Sequence, residues 1–241
     1  MSDKLVLITG TSSGLGQEIC LKALDEGWHV LGFARRENVD YGESYHHQSI
    51  DLSDLVAVRS LAEKSLSKKR FDTFDQVALV NNAGTIEPVG PLQSARLKDL
   101  ERANNLNITV PLWLMGYLKL SCGSKLKKIV NISSGAARKP YQGWASYCAG
   151  KSALKAASEV MAAENQDLEV LSYEPGVIDT AMQEEVRAFD PRIFPHRQRF
   201  ADLHDSGQLV PPHLPASEVV SFLEAGYQEP NYQAYRYGDR T

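Results

Sequence analysis

Apolar residues fall along this chain in two alternating patterns. The first is a short unbroken run, such as Leu5-Val6-Leu7-Ile8, which reads as a strand buried on both faces. The second is a longer segment with apolar positions every three or four residues, which reads as an amphipathic helix. Leu15, Ile19, Ala23 and Leu24 set that spacing over residues 14–26, and Gly27 is a stop. Strands are expected at 29–34, 45–50, 76–80, 128–132 and 168–173. Helices are expected at 54–69, where Leu55, Val58, Leu61, Ala62 and Leu66 share a side, and at 98–120. An alanine-rich helix follows Trp144, with Ala145, Ala149, Ala153, Leu154, Ala156 and Ala157 supplying strong helix propensity. Only about a dozen residues separate Arg35 from the strand at 45–50, too few for a full crossover helix. Buried strands joined by helical crossovers imply an α/β chain with a doubly wound parallel sheet and helices on both faces. With no internal repeat and no linker, residues 1–241 form a single domain.

The tail breaks the pattern. Residues 181–215 hold Pro191, Pro195, Pro211, Pro212 and Pro215, several charges and no clean period. They are expected to form a lid-like excursion with short helices. A last helix is expected at 217–225 and a last strand at 232–237.

Composition narrows the function classes. Hydrophobic content is 43% and charged content 23%, ordinary values for a globular chain of 241 residues. The formal net charge is −4 with the cations dispersed, which argues against a nucleic-acid surface. No apolar run reaches the length of a membrane span, and the N-terminus enters its first strand without a signal-peptide layout. Cys20, Cys122 and Cys148 are odd in number and lack metal-ligand spacing, so no metal is expected and a reducing cytoplasm fits best.

The chemistry sits at the ends of the expected strands. Thr9-Gly-Thr-Ser-Ser-Gly-Leu-Gly16 lies between the first strand and first helix. Gly10, Gly14 and Gly16, with Ser12, Ser13 and Leu15 between them, permit a tight turn, and the helix start beyond offers free N–H groups to a pyrophosphate. A dinucleotide site often has an acid at the end of strand two for the adenosine ribose. This chain has Ala34-Arg35-Arg36 there. Two guanidinium forks suit a phosphate, so NADPH is expected over NADH; the alternative is a pair of solvated loop charges, and Glu37 follows directly. Asp51-Leu52 ends strand three, where the Asp either meets the adenine edge or caps the next helix. Asn81-Asn82-Ala83-Gly84 ends strand four, where small residues let a cofactor lie across the sheet. Ser134 follows strand five, and a hydroxyl there can donate to a carbonyl oxygen. Tyr147 and Lys151 are i and i+4 on the alanine-rich helix and so project from one face. An ammonium beside a phenol favours the phenolate, which lowers the tyrosine's pKa toward neutrality for proton transfer.

In this order and over nearly the whole chain, these motifs, with Pro175-Gly176-x-x-x-Thr180, resemble the short-chain dehydrogenase/reductase family of single-domain Rossmann enzymes. The resemblance implies roles. Tyr147 would protonate the carbonyl oxygen as hydride arrives from the nicotinamide of NADP(H). Lys151 would lower the tyrosine's pKa and hold the nicotinamide ribose, and Ser134 would orient the carbonyl. Asn107 would hold a water for proton relay to the lysine. Residues 175–180, with Pro175, Gly176, Val177, Ile178 and Thr180, would embrace the nicotinamide carboxamide.

Within the family, Gly143-Trp-Ala-Ser-Tyr-Cys-Ala-Gly-Lys151, Ser133-Ser-Gly-Ala-Ala137, Pro175-Gly-Val-Ile-Asp-Thr-Ala-Met-Gln183 and Gly207-Gln-Leu209 are similar to the sepiapterin and (S)-benzoin-forming benzil reductases. That likeness implies reduction of a vicinal dicarbonyl or α-hydroxy ketone, with Tyr141, Trp144, Met182 and Gln183 beside Ser134 and Tyr147 in an aromatic substrate pocket. The alternative for Tyr141 and Trp144 is core packing, and for Met182 lid packing. Sepiapterin reductases carry an aspartate in the C-terminal strand to grip the pterin. This chain has Ala234 or Tyr235 there, with Asp239 a few residues late, which favours the aryl-diketone reading. Other readings of the same residues are a non-catalytic NADP(H)-binding redox sensor and an NADP-linked alcohol dehydrogenase. The likeness also implies a homodimer or homotetramer, for which Leu112, Leu114, Met115 and Leu118 supply apolar material unless the core takes them.

Overall fold

The runs of apolar residues become the inner strands of one sheet. The computed structural model describes residues 3–36 and 39–239; Glu37, Asn38 and the two residues at each end of the chain lie outside them. β1 (Lys4–Thr9), β2 (His29–Ala34) and β4 (Gln76–Asn81) are each buried from their second residue on. β3 (Tyr45–Ser49), β5 (Leu126–Ile132), β6 (Glu169–Glu174) and β7 (Tyr232–Arg236) complete a seven-stranded sheet of order β3-β2-β1-β4-β5-β6-β7. Every pairing is parallel.

Successive side chains on a strand face opposite ways, and the two cores follow from that alternation. Leu5 and Leu7 join Leu31, Phe33, Val77 and Leu79 on one face. α2 (Leu55–Ser65), α5 (Val110–Cys122) and α6 (Ala145–Glu164) cover it with Leu61, Leu114, Leu118, Leu154 and Met161. Val6 and Ile8 join Val30, Ala78 and Val80 on the other, under α1 (Gly14–Asp25) and α9 (His213–Glu224). Leu114, Met115 and Leu118 thus belong to the core; only Leu112, of the four leucine and methionine positions considered for assembly, is exposed.

Two long helices differ from expectation. The helix over 54–69 ends at Ser65, because Leu66 turns fully into the core; after Ser67 a short α3 (Lys68–Phe71) restarts it. Asp54 caps α2, its carboxylate accepting from the N–H groups of Val56 and Ala57. The helix over 98–120 is broken into α4 (Leu97–Asn104), a π turn (Asn105–Thr109) and α5. Pro111 has no N–H to bond the carbonyl of Asn107, so the regular ladder fails there. The segment 181–215 holds α7 (Ala181–Ala188), α8 (Arg197–Asp205) and the start of α9. α9 begins at His213, four residues earlier than expected, with Pro215 tolerated in its first turn. Among the described residues no helix is long and apolar enough to cross a membrane, and no cluster of His, Cys, Asp and Glu could hold a metal ion.

Candidate active site

The strand order reverses between β1 and β4, and the carboxyl ends of the strands open there into a cleft of about 980 Å³. Its floor is the glycine loop. Gly10 has φ +79°, and a Cβ there would lie 2.8 Å from the Asn82 amide nitrogen. A Cβ on Gly16 would lie 2.2 Å from the carbonyl oxygen of Gly10, so glycine alone lets α1 start against the loop. Asn82 ties the loop to β4: its Nδ2 donates to the carbonyl of Thr9 at 2.9 Å, while Thr9 Oγ1 accepts from the backbone N–H groups of Asn82 and Ala83. No side chain caps α1 at Ser13, so its first N–H groups and the positive end of its dipole are offered to the cleft. Ser12, Ser13, Gly14 and Leu15 line it with them. This arrangement fits a dinucleotide pyrophosphate.

Arg35, Arg36, Asp51 and Leu52 line the adjoining end. Arg36 reaches back to donate from Nη1 to the Ser12 carbonyl at 2.9 Å. Asp51 does not cap the helix after it, a role Asp54 takes. Its carboxylate accepts from Ser53 N–H and Oγ and pairs with Arg102 at 2.7 Å. Burial pushes the Asp51 carboxyl up, but the Ser53 hydrogen bonds and Arg102 outweigh that and hold it below its ordinary value.

Of the four side chains expected to work together, Ser134, Tyr147 and Lys151 line the cleft, and Asn107 is buried beside them. Ser134 lies near enough to Tyr147 to favour its phenolate, while Ser134 Oγ accepts from the Ala136 N–H at 3.2 Å. Lys151 Nζ lies 5.7 Å from the centre of the Tyr147 ring and donates to the carbonyl of Ile132 at 2.6 Å. Asn107, in the π turn, spends both ends of its amide on Thr85: Nδ2 donates to the carbonyl at 2.8 Å and Oδ1 accepts from the N–H at 2.9 Å. A Cβ on Gly84 would lie 3.1 Å from Asn107 Oδ1 and 3.8 Å from Lys151 Nζ, which shows how closely the end of β4 approaches the pair. The expected lowering of the tyrosine is corrected by the structure. Burial dominates and pushes the Tyr147 phenol up, with the nearby Ser134 hydroxyl opposing it. Burial also takes the Lys151 ammonium down to about 8, and its Nζ is aimed at a backbone carbonyl. Tyr147 is therefore a neutral phenol at pH 7, the form that can give a proton.

Residues 175–180 close the cleft opposite the glycine loop. Gly176 takes φ +81°, and Val210 pins the segment by donating its N–H to Val177 and accepting from Asp179. A Cβ on Gly14 would lie 3.2 Å from Thr180 Cγ2, so the two loops nearly touch. Pro175, Val177 and Ile178 line the same wall.

An aromatic cluster forms the remaining side. Trp144 stacks on Phe194 with ring centres 4.4 Å apart and meets Tyr147 edge to face at 5.3 Å. Tyr141 and Phe200 lie at 5.5 and 5.6 Å from the same indole. Trp144 is both packed and exposed along one edge to the cleft, which Tyr141, Met182 and Gln183 also line. Met182 is 39% exposed, so it is not packing material. Ile86, Val186, Arg199 and Phe200 line this side too; residues 181–215 gave no periodic signal from which the last three could be read. Nor did the sequence point to Arg236 at the C-terminal edge. Tyr235 packs on Tyr173, Ala234 is exposed, and Asp239 accepts from the N–H of Arg236, whose guanidinium faces Gly176 and the cleft.

Comparison with known proteins is decisive for the family. The family model described as short chain dehydrogenase matches residues 4–191. The chain is a short-chain dehydrogenase/reductase. A benzil reductase ((S)-benzoin forming) of Bacillus subtilis (strain 168) is 36% identical over 230 residues, covering 92% of this chain and 94% of that protein. Sepiapterin reductase of Rattus norvegicus is 36% identical over 240 residues, covering 90% of each. A solved short-chain dehydrogenase/reductase from Saccharomyces cerevisiae superposes with a TM-score of 0.83 at 23% identity, over 98% of this chain and 96% of that one, which supports the fold alone. This member of the family is accordingly a nicotinamide-dependent oxidoreductase related to the benzil and sepiapterin reductases.

Proposed function

We propose that this protein is an NADPH-dependent carbonyl reductase of vicinal dicarbonyls or α-hydroxy ketones, with aryl diketones as preferred substrates. The observation that carries this reading is the aromatic wall of Trp144, Tyr141 and Phe200, which runs up to the ring of Tyr147 where Tyr147 meets Ser134. A flat aryl group seated on that wall brings an adjacent carbonyl to the two hydroxyls.

The nicotinamide, when bound, supplies the hydride. The chain's own residues do the rest. Ser134 and Tyr147 hold the carbonyl oxygen, and Tyr147, kept neutral by burial, gives it a proton as negative charge develops. Lys151 lies close enough to steady the phenolate left behind, and Asn107 fixes the strand end beside it. Arg35 and Arg36 would take the adenosine phosphate. Arg236, where sepiapterin reductases carry their pterin-gripping aspartate nearby, offers a cation and disfavours a guanidine-like edge. We place the active form as a homodimer or homotetramer, for which exposed Leu112, Leu120 and Val160 on α5 and α6 supply apolar contact; light scattering that returned a monomer would remove that part.

Initial rates with benzil, 1-phenyl-1,2-propanedione and sepiapterin, each with NADPH and with NADH, test the proposal. Benzil turned over fastest, and with NADPH, is the expected result. No oxidation of NADPH with any of the three would sink it.

A further inference from the structure

A chain of polar side chains runs behind the glycine loop and ends on Arg36. Thr11 Oγ1 lies 2.9 Å from Tyr45 Oη, which lies 2.9 Å from His47 Nδ1; His47 Nε2 lies 2.7 Å from the Arg36 carbonyl oxygen. A carbonyl can only accept, so Nε2 carries the proton; in the neutral ring Nδ1 then accepts from the Tyr45 hydroxyl, which accepts in turn from Thr11. A Cβ on Gly32 would lie 2.4 Å from Tyr45 Oη and 2.7 Å from Thr11 Oγ1, so β2 leaves room for the chain by having no side chain there. A second tether, Tyr41 Oη donating to the Thr11 carbonyl at 3.0 Å, holds the same loop.

The position of Arg36 explains why this matters. The ladder between β2 and β3 ends at Ala34 and Ser49, with one more bond from Ile50 N–H to the Ala34 carbonyl. Arg36 lies beyond it, and the imidazole of His47 takes the place of a strand partner for its peptide. Its guanidinium meanwhile spans to Ser12 in the glycine loop. The peptide and the head of Arg36 are therefore fixed from two sides.

We propose that His47, acting with Tyr45 and Thr11, is a positioning residue for recognition of the adenosine 2′-phosphate: it holds the Arg36 peptide in register with the glycine loop so that the guanidinium faces the phosphate. The inference rests on the NADPH reading above.

The test is calorimetric binding of two fragments, 2′,5′-ADP and 5′-AMP, to the folded protein. The wild type should prefer 2′,5′-ADP. His47→Ala should weaken 2′,5′-ADP about tenfold, the size of one lost hydrogen bond, and 5′-AMP less than about twofold. His47→Gln, whose amide can still donate to the Arg36 carbonyl, should recover 2′,5′-ADP to within about threefold. In an Arg36→Ala background His47→Ala should change 2′,5′-ADP binding by less than about twofold, because the residue it positions is gone. Equal losses for the two fragments, no rescue by Gln, or an undiminished effect without Arg36 would each overturn the proposal. A wild type that binds both fragments equally removes the NADPH reading and this inference together. A wild-type preference that survives His47→Ala removes the inference alone.

Discussion

The two halves of the cleft are built by different means. The cofactor half is held by hydrogen bonds between fixed backbone: Asn82 and Thr9 join two strand ends, and glycines admit contacts that any side chain would block. The substrate half is held by aromatic packing, and its polar atoms are left over. Trp144 Nε1 and Gln183 Oε1 on the cleft wall are buried without a partner, against Asn81 Oδ1 on the cofactor side. A buried unpaired polar atom costs about 1–3 kcal/mol, so the second half carries more of this cost than the first. On the proposed reading, one half recognises a single invariant shape and the other leaves room to choose among ligands.

That contrast predicts where substitutions will act. The largest effect belongs where the halves meet. Tyr147→Phe keeps the ring against Trp144 and removes the proposed proton donor, so kcat/KM for benzil should fall by about 10³-fold while NADP binding hardly changes. Stopped-flow hydride transfer and calorimetry would separate the two; a small rate loss would remove Tyr147 from the proposed role.

Next comes the cofactor half alone. Arg35→Ala with Arg36→Ala removes two guanidinium groups lining the adenosine end. KM for NADPH should rise by about 10²-fold, the worth of charge-assisted hydrogen bonds to a phosphate, and KM for NADH should stay the same. A parallel loss with both cofactors would mean that the arginines support the loop and read no phosphate.

The substrate half should be more forgiving. Phe200→Leu removes one ring from the wall but keeps its bulk, so KM for benzil should rise roughly fivefold, about 1 kcal/mol of aromatic contact, with no change in NADPH affinity. An altered KM for NADPH would show that the halves are mechanically joined.

The same contrast explains what a reader of the sequence can see. β1, β2, β4, β5 and β6 are legible because strands buried on both faces are mostly apolar, even though β5 and β6 also bury Lys128 against Glu169 at 2.9 Å. The glycine loop, Asn82 and the i, i+4 placement of Tyr147 and Lys151 are legible because backbone geometry demands those residue types at those spacings. Phe200, Val186 and Arg199 are not legible. They come from a proline-rich segment without a period and reach the cleft only through the packing of α7 and α8. The break in the long helix was hidden for another reason: one proline and one inward-turned asparagine override a regular apolar spacing. The direction of the Tyr147 shift was missed because a charge pair was visible in sequence, whereas burial, the larger influence, is a property of the fold.

Burial also sets the smallest effect. Lys151 is taken down to about 8. Its folded pKa lies below its ordinary value of 10.5, so between about pH 8 and 10.5 the unfolded chain binds a proton that the folded chain has lost, and stability of the protein without cofactor should rise with pH across that window. Activity should move the other way. Reduction consumes a proton, and a neutral lysine no longer favours the phenolate that Tyr147 becomes. The rate should therefore hold level below about pH 7 and fall a few-fold between about pH 7 and 9 as the lysine titrates, with melting temperature climbing over the upper part of the same range. Lys151→Met should flatten the stability slope, because it removes the titrating group from both folded and unfolded chains. A slope unchanged in that variant would assign the titration to another group and leave Lys151 charged throughout.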